Sequence, residues 1–179
     1  MKRGFKADAE RIALREREAI GLRTVDALDP KQLASHRQIR VVTLASFAAV
    51  IGADVEHLLV TDSGCFSAAT VIRDERIMIV YNESHAPGRC ANSIAHELAH
   101  LILEHPATNA FDAFGNRNFP TSLEDEANWL AACLLVPKEA IISVLSLNDS
   151  DLERAASHFG VSVQLLRWRM NKTLPRRRR

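Results

Sequence analysis

The stretch SIAHELAHLILEH, Ser93 to His105, narrows the choice of fold more than any other part of this chain. Two histidines stand four positions apart in a mostly aliphatic run, with a glutamate directly after the first. A helix turns about 100° per residue, so His96 and His100 lie about 40° apart and both imidazoles reach one point in space. Glu97 projects to the same side, with Ser93 and Glu104, while Ile94, Ala95, Leu98, Leu101 and Ile102 cover the remaining arc. Such a helix is buried except for one narrow polar window. An ordinary surface helix would carry arbitrary polar residues there. His-Glu-x-x-His is instead the arrangement in which two histidines hold Zn²⁺ and the glutamate takes a proton from the attacking water. Zinc brings the pKa of water to about 7, within reach of a carboxylate base at neutral pH.

Catalytic zinc has three protein ligands and one open position. The variant with a glycine and a third histidine further along the same segment is excluded, because Leu103 and Pro106 occupy those places. On a continued helical wheel His105 points away from His100 and reads as a helix-end residue. The third ligand is therefore expected from the next helix, EDEANWLAACLLVP, Glu124 to Pro137.

HELAHLILEH followed by EDEANWLAACLLVP resembles the ImmA/IrrE family of zinc metallopeptidases. The resemblance is strongest over Arg89 to Pro137 and looser elsewhere, including Ile79-Val80-Tyr81-Asn82. It implies ligands at His96, His100 and Glu124, with Glu97 as general base. It also implies a zincin-like fold and action inside the cell on a partner repressor, in mobile elements or stress responses. The helical wheel bears on the third ligand as well. Glu124 and Glu126 are about 200° apart and cannot both face the metal. Glu124 shares its side with Asn128 and Ala131, and Glu126 shares the bulkier side of Leu130 and Cys133. Glu124 is thus the expected ligand, and removal of Glu126 is expected to leave zinc in place. Asn128, one turn after Glu124, either holds a ligand from behind or is an ordinary polar helix residue.

The rest of the chain sets the frame. With 179 residues and 47% hydrophobic content it can bury one good core. The 23 basic and 22 acidic residues nearly cancel, which gives no overall pull toward nucleic acid or acidic lipid. Acidic residues from Asp8 to Glu18 interrupt anything resembling a leader peptide, and the longest apolar run, Leu44 to Ala53, is far short of the roughly 20 residues that span a bilayer. Cys65, Cys90 and Cys133 form no CxxC pair, which favours a reducing cytosol.

The expected elements are helices over 5–20, 30–35, 89–104, 121–136, 138–147, 151–158 and 162–171, with Asp29 capping the second and Thr121 or Ser122 capping the fourth. Residues 39–44 read as a strand. The segments 58–60, 66–72 and 77–81 read as three antiparallel strands, and the last of them, if it lies at the sheet edge, offers a place for an extended peptide. Phe111, Phe114 and Phe119 sit in a long loop, destined for the core or a substrate cleft.

These readings give an α+β chain: a zincin-like small antiparallel sheet packed on the motif helix over 1–147, and a helical, helix-turn-helix-like extension over 148–179 packed on the same domain. The expected function is a cytoplasmic zinc metallopeptidase with a protein substrate, a helix-turn-helix repressor, and no membrane. The rival is a non-catalytic regulator that uses zinc structurally and contacts DNA through Gln164, Arg167 and Asn171 beside the terminal arginines. Glu97 favours catalysis, since a structural site needs no base beside it.

Overall fold

The structure, a computed structural model, describes residues 1–74, 76–106, 120–144 and 151–173. Phe111, Phe114 and Phe119, the end of the helix expected over 138–147 and the arginine tail lie outside the described residues. In chain order the elements are α1 (Phe5–Ala19), α2 (Pro30–His36), β1 (Arg40–Thr43), α3 (Ala48–Glu56), β2 (Ala68–Arg73), β3 (Arg76–Tyr81), α4 (Pro87–Ile102), α5 (Thr121–Leu135), α6 (Lys138–Val144), α7 (Leu152–Phe159) and α8 (Val163–Thr173). The architecture is mixed α+β, mostly helical, with one small sheet. Asp29 caps α2 as its side chain predicts, accepting from the Lys31 amide at 2.9 Å. The start of α5 differs from expectation: Pro120 precedes its first turn, and neither Thr121 nor Ser122 provides a side-chain cap.

The sheet corrects the sequence reading in three ways. Its order is β1-β3-β2, with β2 antiparallel and β1 parallel to β3, so it is mixed and not purely antiparallel. The parallel pair needs a long crossover, and α3 with the β2 strand supplies it. Leu58-Leu59-Val60 is helical: α3 runs on into a wider turn over His57–Thr61, closed by the Asp62 amide donating to the His57 carbonyl at 2.9 Å. So short an apolar run cannot by itself distinguish strand from helix. Finally β3, not an edge strand, lies between the other two, so among the described residues the edge strand packed against the motif helix is β2.

The buried amide of Asn82, at the end of β3, clips this region together. Its nitrogen donates to the carbonyls of Leu58, Ser63 and Phe66 at 3.0–3.3 Å, and its oxygen accepts from the Ser84 amide and hydroxyl. A buried amide with partners on both ends avoids the cost of lost hydration.

The main core forms where α4 and α5 pack on each other, with α1 against the far side of α5. Ile94 and Leu98 of α4, Leu130 and Leu134 of α5 and Ala9 and Ala13 of α1 are essentially without solvent exposure. Burying each of those leucines is worth about 2 kcal/mol over leaving it in water. Leu152, Ala156, Phe159 and Leu166 of the C-terminal helices belong to the same core. Gly88, in the first turn of α4, lies so close to the turn between α7 and α8 that a Cβ there would stand 2.9 Å from the Ser162 nitrogen and the Val161 carbonyl carbon. Two buried arginines close the carbonyl end of α5. Arg17 of α1 donates to the Leu134 carbonyl at 2.7 Å, and Arg169 of α8 to the Val136 carbonyl at 3.0 Å, while Glu10 pairs with Arg169. Cations at a helix C-terminus satisfy orphan carbonyls and oppose the dipole.

Candidate metal centre

α4 presents His96 and His100 toward α5, and α5 returns Glu124 from its first turn. The three side chains meet, with ligand-capable atoms within 4.8 Å of one another. His96 Nε2 and His100 Nε2 are 3.1 Å apart, and each lies 3.4 Å from an oxygen of Glu124. Behind His96, the Asn128 side-chain oxygen faces Nδ1 at 3.0 Å, which requires that nitrogen to be the N–H donor. The Nε2 lone pair then points inward. Glu124 Oε1 is buried and makes no hydrogen bond, although His100 Nε2 is near. Ring nitrogens and a carboxylate crowded together repel wherever lone pairs face each other, and a buried carboxylate oxygen without a partner is costly. A cation at their common focus removes both penalties. Two imidazoles and one carboxylate are the donor set of a catalytic zinc site, so the residues fit the metal the sequence leads one to expect.

Glu97 leaves the same helix toward the sheet. It is 8% exposed, and its Oε2 accepts from the Thr70 hydroxyl of β2 at 2.7 Å. Sequence reasoning missed Thr70. The available signal was slight: a single hydroxyl on the strand face that also carries Ala68 and Ile72.

His105 differs from the sequence expectation. It does not point away; its Nδ1 is 3.0 Å from His100 Nδ1, and the rings meet edge to face with centroids 5.0 Å apart. The cause is the way α4 ends. Glu104 adopts a left-handed backbone, φ 51°, with its amide donating to the Leu101 carbonyl, and the His105 amide donates back to His100. This is a Schellman turn, which folds the second residue past the helix onto the helix's last turn, so a straight helical wheel fails there. Pro106 enforces the stop. Burial holds His105 below the ordinary imidazole pKa, opposed by the carboxylate of Glu126. Glu126 is itself 3% exposed and places Oε2 3.7 Å from His105 Nε2.

Gln164, Arg167 and Asn171 are all exposed on α8, remote from this cluster in the sequence. Arg167 and Asn171 border a groove of about 320 Å³ with Leu152 and Met170. Arg169, the buried arginine of that helix, is committed to Val136 and Glu10. The three cysteines are unpaired, and none belongs to the metal-ligating group. Among the described residues no helix is long and apolar enough to cross a membrane.

The mixed α+β chain with a His-Glu-x-x-His helix and a carboxylate from the next helix is a metallopeptidase-type domain. The family model described as the IrrE N-terminal-like domain, peptidase family M78, matches residues 57–171, and the chain belongs to that family. Curated proteins provided no match to the chain.

Proposed function

We propose that this protein is a zinc-dependent metalloendopeptidase of regulatory type that cuts one specific intracellular protein, a helix-turn-helix transcriptional repressor. The observation that carries the catalytic part is the placement of Glu97: it adjoins the His96, His100 and Glu124 cluster in sequence but is engaged by the sheet, not by the cluster. A site that only held a structural metal would have no use for a carboxylate kept apart in this way. Zinc, when bound there, supplies Lewis acidity toward water and a peptide carbonyl. Glu97 accepts the proton of the attacking water and returns it to the leaving amide nitrogen, so the proton balance closes within the site. Thr70 fixes one carboxylate oxygen for this work. The outer side of β2, the strand that carries Thr70, is where an extended substrate segment adds as a further strand.

A narrow polar window on a buried helix supports a selective enzyme over an indiscriminate one, and membership of a peptidase family supports proteolysis. Co-expression with helix-turn-helix regulators from the same genome, followed by intact-mass measurement, tests the reading. A discrete cleavage that disappears in Glu97→Gln is expected. Rapid digestion of unfolded casein with the regulators left whole would overturn the proposed substrate.

A further inference from the structure

We propose that His105 and Glu126 are positioning residues that set the tautomer and orientation of His100 for metal binding; this rests on the metal-centre reading above. The argument follows the hydrogens. His100 Nε2 faces the Glu124 carboxylate and His96 Nε2, so that nitrogen must present a lone pair if the cluster is to receive a cation. An imidazole with a lone pair on Nε2 carries its hydrogen on Nδ1. That hydrogen is directed at His105 Nδ1, 3.0 Å away, so His105 accepts there and carries its own hydrogen on Nε2. His105 Nε2 in turn faces Glu126 Oε2 at 3.7 Å. The other oxygen of Glu126 is held by the Lys2 backbone amide at 2.8 Å, which orients the carboxylate. His100 therefore donates to His105, whose Nε2–H is turned toward the Glu126 carboxylate at ion-pair distance, longer than a hydrogen bond.

The geometry has a purpose that packing alone does not account for. The side chains of His105 and Glu126 are only 6% and 4% exposed, yet both are polar and they meet each other and a ligand, with no apolar equivalent in their place. Metal-binding histidines characteristically donate their second ring N–H to an acceptor, and loss of that acceptor costs about 10–100-fold in metal affinity. Asn128 is such an acceptor for His96; the structure assigns the same task for His100 to His105. Glu126, two places from a ligand and on the opposite side of its helix, thereby enters the site from behind. This reverses the expectation that its removal is without effect on zinc.

The test uses the full chain and three variants, His105→Leu, His105→Asn and Glu126→Gln. Asparagine places an acceptor near the position of Nδ1 and leucine places none. Zinc affinity is read by competition with a chromophoric chelator, cobalt coordination by its visible spectrum, and the histidine tautomers by long-range ¹H–¹⁵N correlation at mildly alkaline pH without metal. Zinc affinity should fall by about 10–100-fold in His105→Leu, with an altered cobalt spectrum, and His105→Asn should recover most of it. In the unmodified chain His100 should be the Nδ1–H tautomer and His105 the Nε2–H tautomer, and Glu126→Gln, which removes the carboxylate charge facing Nε2, should lower the share of the Nε2–H form at His105. Wild-type zinc affinity in His105→Leu, no recovery by His105→Asn, or an Nε2–H tautomer at His100 would each overturn the proposal. Should His105→Leu not fold, the tautomers of the unmodified chain and of Glu126→Gln still decide. None of these readouts depends on cleavage. A chain with the expected tautomers and affinities but no proteolysis would remove the peptidase reading and leave this one.

Discussion

Helix α4 works toward two different neighbours. Its α5 side is a closed arrangement in which Glu124 completes a three-residue cluster and Asn128 steadies one of its histidines, all on one partner helix. Its sheet side is sparse: Glu97 meets β2 through one hydroxyl, that of Thr70. On the proposed reading, metal holding and proton handling are therefore anchored to different parts of the fold. The two should be separable by mutation, although the residues responsible, His96 and Glu97, are adjacent in the chain.

The largest effect comes from the α5 side. Glu124→Ala should lose stoichiometric zinc and all cleavage, while the fold persists because Glu124 is partly exposed and contributes nothing to the apolar core. Metal analysis of the purified variant decides it, and retained zinc would break the comparison at its root. The sheet side comes next. Glu97→Gln should keep zinc at wild-type content and lower cleavage by about 10²–10⁴-fold, the usual contribution of a general base. Loss of zinc in this variant would mean that Glu97 belongs to the metal side after all.

Smaller changes sharpen the contrast. Asn128→Ala should weaken zinc by about 10-fold, measured by chelator competition, with cleavage unaltered once zinc is saturating. Thr70→Val should do the converse: zinc affinity unchanged and cleavage reduced several-fold, in line with about 1 kcal/mol for one hydrogen bond. If Thr70→Val changed zinc affinity as much as Asn128→Ala, the division between the two sides would fail.

The parts visible from sequence share a physical character. His96, Glu97, His100 and the helices carrying them follow from an i, i+4 relation that is local and needs no tertiary knowledge. Asn128 was visible for the same reason, being one turn from Glu124. Failures occurred where local periodicity stops. The helical wheel was extended through Glu104, whose left-handed backbone is usually a glycine's task, and so it aimed His105 in the wrong direction. Leu58 to Val60 has the composition of a strand, but its preceding helix captures it. That β3 is central and β1 parallel to it depends on pairings between distant segments, which alternation within a strand does not encode. Nothing in the sequence marks Arg17 or Arg169 for burial, and only the assembled core shows both at 1% exposure.

Those two arginines have a consequence for how the family boundary should be understood. Similarity to the IrrE N-terminal-like domain begins at residue 57, yet Arg17, Phe5, Ala9 and Ala13 belong to α1, far upstream. α5 carries Glu124 near its start, and its opposite end is gripped by one guanidinium from each flank of the chain. A fragment trimmed to the recognisable stretch would retain every metal-facing side chain and lose half of the clasp, leaving the Leu134 carbonyl and an apolar flank of α5 without a cover. What similarity delimits here is the working part. The packed core is larger, and it takes in the first helix.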